Sequence, residues 1–177
     1  MMRLSLILAG LWFFFKLIML QLNYDSERVG VMLNLLFLVV IIYIAIRSLK
    51  KDLGFFDMLK AGMRPAAIYI LLICVAIFIF YKWCDPGYMP GVIETNLQQL
   101  EETIVSEGGF EAFAKKNAPI EANSQEEYIE SQRENFGLLF SPFARASQSL
   151  LALTMLALIY TLMMIGVYKI GRKFIKE

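Results

Sequence analysis

Four long apolar stretches constrain the fold of this chain more than any other feature of its sequence. A helix needs about 20 apolar residues to cross the hydrocarbon core of a bilayer, and 58% of the 177 residues are apolar. A soluble fold would have to cover all four stretches with amphipathic helices, and the chain is too short to supply them. We therefore predict an all-α membrane protein built on a four-helix transmembrane bundle. The predicted spans are Leu4–Leu22, Val29–Ile46, Ala66–Trp83 and Ala146–Tyr168.

The charged residues divide unequally between the segments that flank these spans. Residues 1–3, 47–65 and 169–177 together hold ten Lys or Arg and three acidic residues. Residues 84–145 hold four Lys or Arg and eleven acidic residues. Because basic residues next to spans stay on the cytoplasmic side, we expect both termini and the 47–65 loop to be cytoplasmic. The acidic segment 84–145 is then extracytoplasmic.

The chain thus divides into three parts. Residues 1–83 hold the first three spans and the basic cytoplasmic loop 47–65, residues 84–145 form the acidic segment, and residues 146–177 hold the fourth span and a basic tail. The third span should end at Asp85, because the following Pro86 disfavours helical backbone in the residue before it. We expect the acidic segment to form a small helical lid.

Local patterns place two outer helices in that segment. Apolar residues recur in a narrow seam, which predicts one amphipathic helix that stops at the glycines 108 and 109. Ser124 and Glu127 have the spacing of a capping box, which predicts the start of a second helix. Ser141 should cap the fourth membrane helix, and Pro142 should open it. The residues of the first seam are Ile93, Leu97, Leu100 and Ile104.

Lys16 lies in the otherwise apolar stretch LWFFFKLIML, and a lysine inside a membrane span is costly. Because a helical side chain leans toward the N-terminus of its own helix, we expect Lys16 to point toward the bilayer midplane. It should also face the interior of the bundle on a polar and small-residue stripe. The stripe comprises Ser5, Ala9, Trp12, Lys16, Met19 and Asn23.

Several groups are candidates to offset the Lys16 charge, as is the phosphate of an anionic lipid. Depth counted from the span ends makes Asn34 a neighbour of Lys16 across the first hairpin. Two structural alternatives remain beside a ligand-binding role: a lysine held only by polar groups of the bundle, and a lysine that snorkels to the interface. The candidate ligand-binding or intramembrane polar cluster is Lys16, Asn34, Tyr81, Asp85 and Thr154.

Helical spacing also predicts the inward faces of two other spans. In the second span, alternating steps of four and three from Asn34 select Gly30, Phe37, Ile41, Ile44 and Ser48. In the fourth span, a seven-residue repeat selects Ser147, Thr154, Thr161 and Tyr168.

The cytoplasmic loop combines apolar and basic residues, the composition of a helix that lies along an anionic membrane surface. The alternatives are a docking surface for a cytoplasmic partner and plain positive-inside topology. The candidate inner-leaflet or partner contacts are Arg47, Lys50, Lys51, Lys60 and Arg64.

The sequence offers little for catalysis. It contains no histidine, which removes the commonest general base and the commonest metal ligand. We find no phosphate-binding glycine loop, nucleophile motif or metal-ligand cluster, and the charge pattern does not favour nucleic acid. We therefore expect no enzyme activity, no catalytic residues, no metal and no cofactor.

Three segments resemble the bacterial inner-membrane proteins grouped as domain of unknown function 4199: FFDMLKAGMRPAAIYILL, FYKWCDPGYM and SQRENFGLLFSPFARASQSLLAL. The resemblance implies four spans, an outer helical segment and the bacterial inner membrane, and it carries no established activity. It also suggests an accessory role beside a glycolipid or polyprenyl-phosphate enzyme. The matching positions are Asp57, Lys60, Gly62, Asp85, Pro86, Ser141 and Pro142.

Two main hypotheses follow for the function. The first is a non-catalytic membrane accessory or assembly protein of the bacterial cell envelope, with membrane lipids and a protein partner or a second copy of itself as neighbours. The second is a protein that binds or transports an anionic lipid through an outer-leaflet pocket around Lys16. An enzyme is the third and least favoured alternative.

Overall fold

The structure, a computed structural model, describes residues 1–49, 53–117, 122 and 124–175, with side chains up to residue 170. In these residues the regular structure is entirely helical, as predicted. Four of the helices are long and apolar enough to cross a membrane, which confirms the predicted fold class. The helices are α1 (Met2–Gln21), α2 (Glu27–Arg47), α3 (Phe55–Ile79), α4 (Tyr88–Ser106), α5 (Phe110–Lys116), α6 (Gln125–Leu139) and α7 (Pro142–Ile175), and a π-helical turn (Phe80–Cys84) continues α3.

The chain forms two compact units. The first unit contains Met1–Phe80 and Ala146–Glu177, and the second contains Tyr81–Arg145. The first unit therefore holds the apolar helices, and the second holds α4, α5 and α6.

The third apolar helix begins earlier than the predicted span. Residues 55–65 form the first turns of α3, which continues without a break through Pro65. One interpretation of the basic loop is a helix that lies along the membrane surface, and the structure instead joins residues 55–65 of the loop directly to the span. The hydroxyl of Ser5 donates to the carbonyl oxygen of Pro65 at 3.1 Å, a buried contact that ties α1 to this part of α3.

In the first unit, α3 packs against both α1 and α2. The predicted inward stripe of α1 is confirmed at its four inner positions, since Ser5, Ala9, Trp12 and Lys16 are all buried. Met19 is half-buried and Asn23 is exposed, because the stripe runs past the end of the helix.

The buried faces of α2 and α7 agree with the predicted faces in part. Gly30, Asn34 and Ile41 in α2 and Thr161 in α7 are buried as predicted, and Phe37 and Tyr168 are half-buried. Steps of four residues connect the buried positions, as expected where the i±4 ridges of a helix pack against a neighbour. The predicted inward residues Ile44, Ser48, Ser147 and Thr154 are exposed, so those parts of the prediction are wrong. The buried rows are Gly30, Asn34, Leu38, Ile42 and Ile46 together with Ile41 and Ala45 in α2, and Leu153, Ala157, Thr161 and Ile165 in α7.

The close approach of α3 and α7 depends on a glycine. A Cβ atom added to Gly62 would lie 2.6 Å from Cγ2 of Thr161, far inside van der Waals contact. The hydroxyl of Thr161 donates to the carbonyl oxygen of Ala157 at 2.7 Å, which satisfies the hydroxyl within its own helix. Nearer the C-terminal end of α7, the hydroxyl of Tyr168 donates to the carbonyl oxygen of Leu49 at 3.3 Å.

Large apolar side chains cover the outward faces of the four long helices. The most hydrophobic 18-residue windows of α1 and α7 are only 28% and 22% buried. In water this surface would be costly, and in a bilayer it is the ordinary lipid-facing side of a bundle. Examples are Leu6, Phe14, Met32, Leu71, Leu151 and Met163.

In the second unit, α4 packs against α6 along the predicted seam. Leu97 and Ile104 are buried, and Ile93 and Leu100 are half-buried. Across this contact the guanidinium of Arg133 lies 3.1 Å from the carboxylate of Glu94.

The predicted helix starts are confirmed by their capping hydrogen bonds. The hydroxyl of Ser124 accepts from the backbone N–H of Glu127 at 3.2 Å, which is half of the capping box. The hydroxyl of Ser141 accepts from the backbone N–H of Ala144 at 3.1 Å, and Pro142 is the first residue of α7. The short helix α5, with a buried Phe113, completes the second unit.

Candidate functional site

Lys16 is buried in the first unit and forms an ion pair. Its Nζ atom lies 2.6 Å from Oε1 of Glu27, and the two side chains are 4% and 15% exposed. A charged hydrogen bond of this length, largely shielded from water, is far stronger than an ion pair on a wet surface. The carboxylate therefore offsets the charge that the sequence places inside the first apolar stretch.

The hairpin geometry brings these two residues together. Helix α1 ends at Gln21 and α2 begins at Glu27, so the first turn of α2 lies beside the last turns of α1. A carboxylate in the first turn of a helix is favoured by the helix dipole. The backbone N–H of Glu27 donates to the side chain of Asp25 at 3.0 Å, which helps fix the start of α2.

Aromatic and backbone groups surround the lysine stem. The Nζ atom lies 5.0 Å from the ring centroid of Phe80, within the range of a cation–π contact. A Cβ atom on Gly30 would lie 3.4 Å from Cδ of Lys16, so the stem runs over the surface that this glycine leaves open. The indole of Trp12 donates to the carbonyl oxygen of Gly30 at 2.9 Å and holds α1 against α2 at the same level.

Asn34 lies one turn after Gly30 in α2 and takes part in a second buried contact. The hydroxyl of Tyr69 donates to Oδ1 of Asn34 at 2.9 Å, and both side chains are buried. This bond joins α2 to α3, so the structure gives Asn34 a polar partner on α3, whereas the ion-pair partner of Lys16 is Glu27 on α2.

The predicted cluster has three further members. Thr154 is exposed, and its hydroxyl donates to the carbonyl oxygen of Leu150 in its own helix at 2.7 Å. Tyr81 and Asp85 belong to the second unit, where the ring of Tyr81 packs on that of Tyr88 with centroids 5.2 Å apart.

Glu27, Phe80 and Tyr69 are absent from the predicted cluster. For Glu27 a sequence signal existed, because the loop that closes the first hairpin holds two acidic residues, Asp25 and Glu27, and the spans hold none. The expected direction of Lys16, toward the bilayer midplane, stays a prediction.

The predicted basic contacts are exposed where the structure describes them. Arg47, Lys60 and Arg64 lie on the surface, and Lys50 and Lys51 fall outside the described residues. The guanidinium of Arg47 donates to the hydroxyl of Tyr43.

The described residues contain no group of three or more His, Cys, Asp or Glu side chains that could hold a metal ion. Within the same part of the chain, every buried side-chain nitrogen and oxygen has a hydrogen-bond partner.

These features define the chain as an all-α protein with four candidate membrane helices and a buried, internally paired polar cluster. A comparison with family models matches residues 4–169 to the family described as "Protein of unknown function (DUF4199)". The chain belongs to this family, as its sequence motifs suggest. Searches of curated proteins and of solved structures found no match.

Proposed function

We propose that this protein is a multi-pass protein of the bacterial inner membrane that acts as a non-catalytic accessory or assembly subunit of the cell envelope. Helices α1, α2 and α7 and the helix Phe55–Cys84 would cross the bilayer, with both termini in the cytoplasm. The partner would be an enzyme that acts on a glycolipid or a polyprenyl phosphate. The exposed apolar faces and the positions of the basic residues support the membrane part of this proposal.

The observation that carries the choice of function is the Lys16–Glu27 ion pair. An anionic-lipid pocket needs a cation that is available to a phosphate, and the carboxylate of Glu27 already lies 2.6 Å from Nζ of Lys16. A ligand would have to displace a charged hydrogen bond that is largely shielded from water. The pair therefore favours a structural role for Lys16 over the alternative of a lipid-binding or transport protein.

Helix α7 offers the contact face for a partner within the membrane. It is the least buried of the four apolar helices, and on the side of Thr154 it also exposes Leu151 and Met155. Threonine is enriched where membrane helices pack, and methionine adapts to irregular partner surfaces. We therefore place the partner against this side of α7.

Site-specific photo-crosslinking in cells tests the proposal. A photo-reactive amino acid at Thr154 should crosslink to one protein of defined mass, and the same substitution at Leu71, on the exposed face of α3, serves as the control. The complex should also copurify at a fixed stoichiometry in mild detergent. A crosslink to a second copy of this chain would show that the partner is the chain itself, in a homo-oligomer, and would refute the enzyme partner. A lone monomer with no crosslink would refute the whole proposal.

A further inference from the structure

The outward face of α3 combines two cations with an apolar stripe. Exposed residues recur along this helix at steps of four and three, so they share one side of it, opposite the buried row that begins with Met58 and Gly62. Phe56, Leu71 and Val75 are 72%, 59% and 57% exposed. The stripe comprises Phe56, Lys60, Arg64, Ala67, Leu71 and Val75.

The spacing along the stripe matches one leaflet of a bilayer. Lys60 and Arg64 are four residues apart, which places their Cβ atoms about 6 Å from each other on the helix surface. At 1.5 Å per residue, Leu71 lies about 10 Å and Val75 about 16 Å beyond Arg64 along the helix axis. Half of a hydrocarbon core is about 15 Å thick, so the cations fall at headgroup level when the apolar residues lie beside acyl chains.

We propose that Lys60 and Arg64 bind the phosphate of an anionic phospholipid whose acyl chain lies along Leu71 and Val75. The small side chain of Ala67 leaves the path between the headgroup and the chain open. This inference rests on the membrane insertion in the proposed function, and it is independent of the protein partner.

The neighbouring cations are less suited to this role. The guanidinium of Arg47 donates to the hydroxyl of Tyr43, and Nζ of Lys169 lies 5.9 Å from the ring centroid of Phe55. Neither Lys60 nor Arg64 forms a hydrogen bond or an ion pair with any residue that the structure describes. Both side chains are exposed, and a guanidinium can bind a phosphate through two parallel hydrogen bonds.

A phospholipid also explains the stripe better than an acidic protein does. A cytoplasmic protein could cover the two cations, but it could not reach Leu71 and Val75 at the depth of the acyl chains. A lipid satisfies both parts with one molecule, because its charge and its apolar chain have the same order as the residues on the helix.

Spin-labelled lipids measure this selectivity directly. The full chain is reconstituted in phosphatidylcholine bilayers that contain a trace of spin-labelled phosphatidylglycerol or of spin-labelled phosphatidylcholine. The ratio of the two motionally restricted fractions gives the relative association constant. Lys60 and Arg64 should each contribute roughly fivefold to the preference for the anionic lipid.

Two double variants separate a specific site from general surface charge. The variant Lys60→Gln/Arg64→Gln should lower the preference to near one. The variant Arg3→Gln/Lys169→Gln removes the same charge from two exposed positions on the same predicted side of the membrane, and it should keep most of the preference.

Three results would overturn the inference. They are a wild-type protein without a preference for the anionic lipid, a K60Q/R64Q protein that keeps it, and an equal loss in both double variants. Extraction of the vesicles at alkaline pH separates these failures from a failure of the proposed function. A protein released by alkali is not inserted in the membrane, whereas a retained protein without lipid preference refutes only the lipid site.

Discussion

At the scale of single residues, the Lys16–Glu27 pair leads to a double-mutant prediction. Replacing Lys16 by Met should destabilise the protein by about 3 kcal/mol, because the carboxylate of Glu27 stays largely buried without its main counter-charge. The double variant Lys16→Met/Glu27→Gln should recover more than half of that loss. The free energy of unfolding, measured in mild detergent by titration with a denaturing detergent, checks both values.

An exposed lysine provides the control for this cycle. Lys115 lies on the surface of α5, so Lys115→Met should change the free energy of unfolding by less than about 0.5 kcal/mol. If Lys16→Met alone stabilised the protein, the ion pair would contribute nothing, and Lys16 would be only a tolerated charge.

Gly62 gives a second prediction at the same scale. A Cβ atom at this position meets Cγ2 of Thr161 at 2.6 Å, so Gly62→Ala should destabilise the protein by about 1–3 kcal/mol. The second substitution Thr161→Ser removes that methyl group and should restore part of the stability. Thermal unfolding of the three variants in one detergent measures the effect.

Gly166 is the matched control, because it lies in α7 and a Cβ atom there would meet nothing within 4 Å. Gly166→Ala should therefore stabilise the helix slightly, by about 0.5–1 kcal/mol. Equal effects of the two glycine substitutions would contradict the close contact between α3 and α7.

At the scale of the helices, the buried row of α7 sets which threonine tolerates a larger side chain. Thr161 belongs to the row with steps of four and is fully buried, whereas Thr154 is exposed. Thr161→Leu should destabilise the protein by about 1–3 kcal/mol through overpacking, and Thr154→Leu should be close to neutral. Thermal unfolding distinguishes them, and the reverse order would contradict the burial of Thr161 and the exposure of Thr154.

At the scale of the whole molecule, the membrane topology can be tested by the side of the membrane on which two positions lie. In a Cys74→Ala/Cys84→Ala background, a reagent that cannot cross membranes should label the variant Glu102→Cys in spheroplasts. It should label Arg47→Cys only after the membrane is permeabilised. Both positions are exposed, so burial would not explain a difference between them. Labelling of the second variant and protection of the first would invert the proposed topology.

The sequence alone was sufficient to predict the features that depend on neighbours along the chain. The four apolar helices follow from composition, and the starts of α6 and α7 follow from Ser124 and from the Ser141–Pro142 pair. Each of these signals acts over a few residues or one helix length, so it does not need the rest of the fold. The inner positions of the α1 stripe belong to the same group.

Only the tertiary structure decided which side chains meet. The pairing of Lys16 with Glu27 depends on how the α1–α2 hairpin closes, and the exposure of Thr154 depends on how α7 crosses its neighbours. Helical periodicity allows rows with steps of four as well as faces with steps of three and four, and the crossing of packed helices selects between them. That crossing is set by contacts such as Gly62 with Thr161, which are 99 residues apart in the chain.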